Sequence, residues 1–165
     1  MGQAAGVLVG HPLGQSKSPH PPFNKGGMGG FGLPQRVTYQ DPCHLAHAQR
    51  ITQAPRAILK SIPGLELVEM ENAAMCCGGA GIYWMVQQDL ARQILDRKLE
   101  NIAATGAEAV VTANPGCVLQ IEQGLASRGI PGKVYHVVDL LDQAYQAETI
   151  RETGMESPKA KQGIL

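Results

Sequence analysis

The chain has 165 residues, one domain's worth, and 14 Lys+Arg against 14 Asp+Glu leave it without net charge. That balance removes the electrostatic argument for nucleic acid or an anionic membrane as partner, and 4% aromatic content leaves little for base stacking. Apolar content of 44% with 17% charged residues fits a globular protein, and four cysteines are too few for a small disulfide scaffold.

No basic stretch opens the chain, whose first Lys is Lys17, and no apolar run approaches the roughly 18 residues of a spanning helix. The expected compartment is cytoplasmic and reducing, where cysteines serve more often as ligands or nucleophiles than as bridges. Residues 1–36 hold 9 Gly and 5 Pro and no acid; the first is Asp41. They read as an irregular arm that should not pack. Its 10–19 stretch resembles the substrate-binding opening of shikimate dehydrogenases, and nothing downstream continues that likeness.

The folded unit is expected over 37–147, with a polar tail over 148–165. Residues 37–40 predict a strand closed by Asp41-Pro42. Residues 47–62 predict a helix that Pro55 ends or kinks. A second strand is expected over 65–70. The strongest helix is expected over 82–104, with Ile82, Val86, Leu90, Ile94 and Ile102 at helical spacing and Gly106 closing it. A strand over 108–112, a helix over 117–127 after Asn114-Pro115-Gly116, a strand over 133–138 and a helix over 139–146 follow. Strands alternating with helices predict an α/β fold: one Rossmann-like, three-layer domain with a mostly parallel sheet of about four strands.

Cys43 follows the first strand, Cys76 and Cys77 the second, and Cys117 the third. In a parallel sheet those strand ends share one edge, where open α/β folds bind ligands. The helices that follow would offer N-terminal dipoles favouring thiolates. Gly78 and Gly79 let backbone approach a bulky group closely. Four thiolates suit an iron–sulfur cluster or a tetrahedral zinc. The adjacent pair counts against an ordinary zinc ribbon, because neighbouring thiolates reach different irons more readily than one small ion. A thiol switch ranks last, since a vicinal disulfide is strained and the compartment reducing. His44 is a candidate ligand or hydrogen-bond donor to the site. His136, ending the fourth strand, is a candidate for tuning it. Asp41 could close the site electrostatically or simply shape the turn. His47 is assigned no role, and Tyr83-Trp84-Met85 reads as core. No acid–base pair or Ser/His/Asp set is readable, so no catalytic residue is assigned.

Pro42-Cys43-His44-Leu45, Cys76-Cys77-Gly78-Gly79-Ala80-Gly81 and Asn114-Pro115-Gly116-Cys117 resemble the cysteine-rich CCG domain of heterodisulfide-reductase-like iron–sulfur proteins. Within that group the chain is most similar to the C-terminal part of iron–sulfur subunits of glycolate oxidase (glycolate dehydrogenase). Supporting stretches are Asp96-Arg97-Lys98-Leu99, Val111-Thr112-Ala113-Asn114 and the segment from His136 to Asp142. Asp96-Arg97-Lys98 is otherwise read as a solvated helix face. The resemblance implies an electron-transfer subunit with a 4Fe-4S-type cluster at Cys43, Cys76, Cys77 and Cys117. Zinc, or a metal-free domain that docks a flavoprotein, is the alternative. It implies flavin-containing partner subunits that carry FAD and oxidise glycolate to glyoxylate, and membrane contact at most peripheral, at the inner face. Full-length relatives carry C-x-x-C runs and two such domains. This chain has no C-x-x-C and a single domain, so it reads as a fragment. Gln120 stands where the fullest motif has a further Cys, which leaves four thiolates instead of five.

Overall fold

The computed structural model describes residues 32–79 and 81–153. The 10–19 stretch, the arm through residue 31 and the tail from residue 154 lie outside the described residues, as does Ala80 of the glycine loop.

Four strands form one sheet, β1 (Arg36–Gln40), β2 (Glu66–Val68), β3 (Ala109–Thr112) and β4 (Lys133–His136), in the order β2-β1-β3-β4. Every pairing is parallel, with Val37 opposite both Leu67 and Ala109, and Thr112 opposite His136. The expected α/β architecture holds. Five α-helices accompany the sheet: α1 (Gln53–Ser61), α2 (Tyr83–Val86), α3 (Gln88–Thr105), α4 (Pro115–Arg128) and α5 (Val137–Thr153), of which the four-residue α2 packs on α3. Helix α5 runs on to Thr153, past the expected boundary at 147.

Both faces are covered, which explains why β3 reads as an unbroken apolar run of buried residues. Val37, Tyr39, Ala109 and Val111 pack with Leu59 of α1 and Leu140 and Ala144 of α5. Val110 packs on the other face with Leu99 and Ile102 of α3 and Ile121 and Leu125 of α4. The alternation along β3 is the two-residue period of a strand. No helix among the described residues is long and apolar enough to cross a membrane.

Three expectations change. The single helix over 47–62 is a short π-helical turn, His44–Ala48, and then α1. Arg50 adopts a left-handed φ of 57° between them, and Pro55 lies in the first turn of α1, where a backbone N–H has no helical partner to lose. The long helix breaks at Gln87 (φ −128°, ψ 54°) into α2 and α3. Ile82, Val86 and Leu90 are exposed, as are Trp84 and Met85, so the N-terminal half of the apolar stripe faces outward and Tyr83-Trp84-Met85 is not core. The stripe that packs is Ala91, Lys98, Leu99 and Ile102, which puts a lysine inside.

Candidate metal centre

From β1 the chain moves outward to β2, crosses back to β3 on the other side of β1, and continues to β4. The direction reverses between β1 and β3, which is where open α/β sheets form their ligand crevice. Cys43 and Cys117 follow these two strands, and Cys76 and Cys77 follow β2 beside them. The floor of the crevice is tied by buried side chains: Thr112 Oγ1 donates to Gln40 Oε1 (2.7 Å), and Gln40 Nε2 donates to the Asp41 carbonyl (2.7 Å).

Helix α4 begins well capped. Pro115 sits in its first turn, and Asn114 Oδ1 accepts from the Cys117 N–H at 3.0 Å. Cys117 therefore lies in the first turn of a 14-residue helix, where the dipole favours an anion. The Cys76 sulfur accepts from the Gly78 N–H at 3.3 Å. Gly78 has φ +84°, and a Cβ there would stand 2.5 Å from the Ala91 carbonyl oxygen, so only glycine fits. Gly79 is pressed against Gln120, whose Cβ would lie 3.1 Å from an added Cβ. A cavity of about 470 Å³ opens between the glycine loop and the first turn of α4, lined by Gly79, Gly81, Trp84, Gly116 and Leu119 among others.

The four thiols meet in series, and all are reduced. Cys43 stands beside Cys76, Cys76 beside Cys77, and Cys77 beside Cys117, each close enough to shift its neighbour's ionisation. Holding its proton in the hydrogen bond to Cys117 pushes the Cys77 thiol up to about 11. Cys76 is held well above the ordinary thiol value by donating to Cys77 and by burial, and Cys43 is raised chiefly by burial. Cys117, the end of the series, is lowered by the hydrogen bond it receives from Cys77. Cys117 is thus the thiol of the four most disposed to ionise.

This order does not surround a point. Among the described residues no three His, Cys, Asp or Glu side chains converge in a cage for a single ion. Zinc takes four such ligands around one ion, and a multi-iron cluster takes its thiolates at separate irons. Four soft thiol donors on one sheet edge suit an iron–sulfur cluster, which Cys43, Cys76, Cys77 and Cys117 would hold.

The candidate neighbours are placed unequally. His44 is exposed; its backbone N–H, not its ring, is what favours the Cys43 thiolate. His136 ends β4, half-buried on the same edge, and its Nδ1 accepts from the Val138 N–H at 3.3 Å. Asp41 is 3% exposed and pairs with Arg56, whose Nη1 and Nη2 donate to its oxygens at 2.7 and 2.8 Å. Arg56 also donates through Nε to Glu69 (3.0 Å) and lies over the Tyr39 ring. Three contributors were not legible in the sequence. Arg56 carries no motif. His47 holds the Ala74 carbonyl at 2.9 Å through Nε2. Lys98, expected on a solvated face, is fully buried; the signal for it was its place four residues before Ile102 on the packed stripe of α3.

The cysteine-rich domain family named CCG matches residues 37–122. The probable glycolate oxidase iron–sulfur subunit of Bacillus subtilis (strain 168) is 50% identical over 113 residues, covering 67% of this chain and 26% of that protein. One of the subunits of the fumarate reductase (CoM/CoB) of Methanothermobacter marburgensis is 43% identical over 111 residues, covering 67% of this chain and 23% of that protein. Lactate utilization protein A of Geobacillus sp. (strain WCH70) is 34% identical over 113 residues, covering 68% and 48%. The chain thus spans about a quarter of the first two relatives and about half of the third.

Proposed function

The chain belongs to the CCG cysteine-rich domain family, and we infer from that membership and the thiol geometry that it is an electron-transfer module holding an iron–sulfur cluster. Cys43, Cys76, Cys77 and Cys117 are the ligands, and four thiolates match a [4Fe–4S] cluster. The observation that carries this reading is the convergence of four cysteines, from behind three neighbouring parallel strands, on the switch-point edge of the sheet.

When bound, the cluster supplies one-electron transfer. The protein's own part is to hold four soft donors, favour their anionic form and shape access. The α4 N-terminus and the Cys117 N–H cap stabilise charge at Cys117. Gly78 and Gly79 keep the loop close to α3 and α4 and leave room over the thiols. His44 and His136 stand on the same edge as tuning groups. The likeness to the glycolate oxidase subunit supports a place in a complex that oxidises glycolate to glyoxylate. There the substrate's two electrons leave through FAD on a partner subunit. The working unit is the cysteine-rich domain, 37–147 with the remainder of α5, in a reducing cytoplasm with at most peripheral membrane contact.

Anaerobically purified and reconstituted protein should be brown, with near-stoichiometric iron and sulfide. Single Cys→Ser variants at the four positions should each lose iron. Colourless, iron-free wild-type protein after reconstitution, or four variants that keep wild-type iron, would overturn the reading.

A further inference from the structure

We propose that Lys98 is a positioning residue for the thiol site: its buried ammonium ties down the turn that delivers Cys76 and Cys77 and sets a fixed positive charge behind the thiols. The charge part rests on the proposed iron–sulfur function; the positioning part does not.

Lys98 is fully buried on the packed face of α3. Its Nζ donates to the carbonyls of Asn72 (2.9 Å) and Ala73 (3.1 Å) and lies 3.9 Å from Met70 Sδ. These carbonyls belong to the turn between β2 and the cysteine pair. Asn72 there has a left-handed φ of 53°, and the Met75 N–H closes onto its carbonyl at 2.9 Å. The turn is gripped from other sides as well: the Asp41 N–H donates to Ala73 (3.1 Å), and His47 holds Ala74. Edge strand β2 is only three residues long, so side chains rather than the sheet ladder fix where Cys76 and Cys77 stand.

The second observation is charge. No carboxylate among the described residues lies within ion-pair distance of Lys98. The groups that hold its charge up against burial are Cys77, Asp41, Cys76 and Cys117; Asp41 is already neutralised by Arg56, and of the three thiols only Cys117 is shifted toward thiolate. A buried ammonium without an ion-pair partner is costly unless an opposing charge is present. Burial pulls it down to about 8, which leaves it charged at neutral pH. The opposing charge would come from Cys117 as a thiolate and, in the loaded protein, from the cluster bound there. A nearby positive charge makes such a site easier to reduce.

Lys98→Met removes both the bonds and the charge; Lys98→Gln keeps donors for the carbonyls and removes the charge. In the metal-free, reduced full chain, hydrogen exchange at amides 72–79 should accelerate roughly tenfold or more in K98M and less in K98Q. Unchanged exchange in K98M overturns the positioning role. In reconstituted protein, both variants should hold a cluster whose midpoint potential is shifted below wild type. Equal potentials in all three overturn the charge role, since a merely structural lysine would leave K98Q like wild type. If wild-type protein takes up no iron, the proposed function and the charge role fail together, and hydrogen exchange alone decides the positioning role. If K98M does not fold, K98Q is read for both: exchange and potential equal to wild type overturn the proposal.

Discussion

Replacing Arg56 by Leu strands a carboxylate directly behind Cys43. Asp41 is 3% exposed, and its hydrogen bonds to Arg56 Nη1 and Nη2 are 2.7 and 2.8 Å. Leaving one half of a buried pair without its partner costs about 3–5 kcal/mol. Asp41→Asn is milder, because Arg56 keeps Glu69 at 3.0 Å and the Thr52 carbonyl at 2.8 Å. That loss is one of charged hydrogen bonds, about 1.5–3 kcal/mol. Glu69 is half-exposed, so its hold on Arg56 supplies at most about 1 kcal/mol. Urea unfolding of the reduced, metal-free chain, followed by far-ultraviolet circular dichroism, reads these values. With a slope of about 2 kcal/mol per molar, R56L should lower the midpoint by roughly 1.5–2.5 M. The double variant should cost clearly less than the sum of the singles, because both remove the same contact. An R56L cost under about 1 kcal/mol, or strict additivity, refutes a buried, coupled pair.

Gly78→Ala should lower the melting temperature by roughly 5–10 °C, from a disallowed φ and a clash with the Ala91 carbonyl, while Gly81→Ala, with open space around it, should cost less. Asn114→Ala removes the cap of α4 and should cost about 1 kcal/mol in the same urea assay. Cys117 should be the first thiol to ionise in metal-free protein. Its folded pKa lies below the free value of 9.0, so its contribution to stability is full above that value and is lost as pH falls through the folded one. Thiolate ultraviolet absorbance should show an early step that Cys117→Ser abolishes; an early step that persists in the variant would assign it elsewhere.

The sheet was legible because each strand is a short stretch with a β-branched, aromatic or aliphatic centre bounded by turn residues, and alternation with helices implies parallel pairing. The same reasoning placed all four cysteines on one edge. Helix 82–104 was legible as helix but not in which side it buries: Ile82, Val86 and Leu90 satisfy the period while Gln87 turns the chain before α3 begins. Periodicity reports a stripe, not a partner for it. Lys98 fell on the true stripe and was read by its charge instead of its position. Pro55 was read as a breaker because its distance from the helix start depends on Arg50, whose left-handed conformation carries no sequence mark. The Arg56–Asp41 pair and His47 act across loops, where residue spacing holds no information about contact.

The order of strands also has a meaning in time. Cys43 leaves the ribosome about 74 residues before Cys117, an interval of roughly 4–15 s at ordinary rates of synthesis. For most of that interval β1 has no β3 beside it, because β3 itself comes late, and the crevice has only one wall. Three thiols therefore wait, solvent-accessible, for the strand that closes their site. If the four cysteines hold a cluster as proposed, its loading follows the arrival of Cys117.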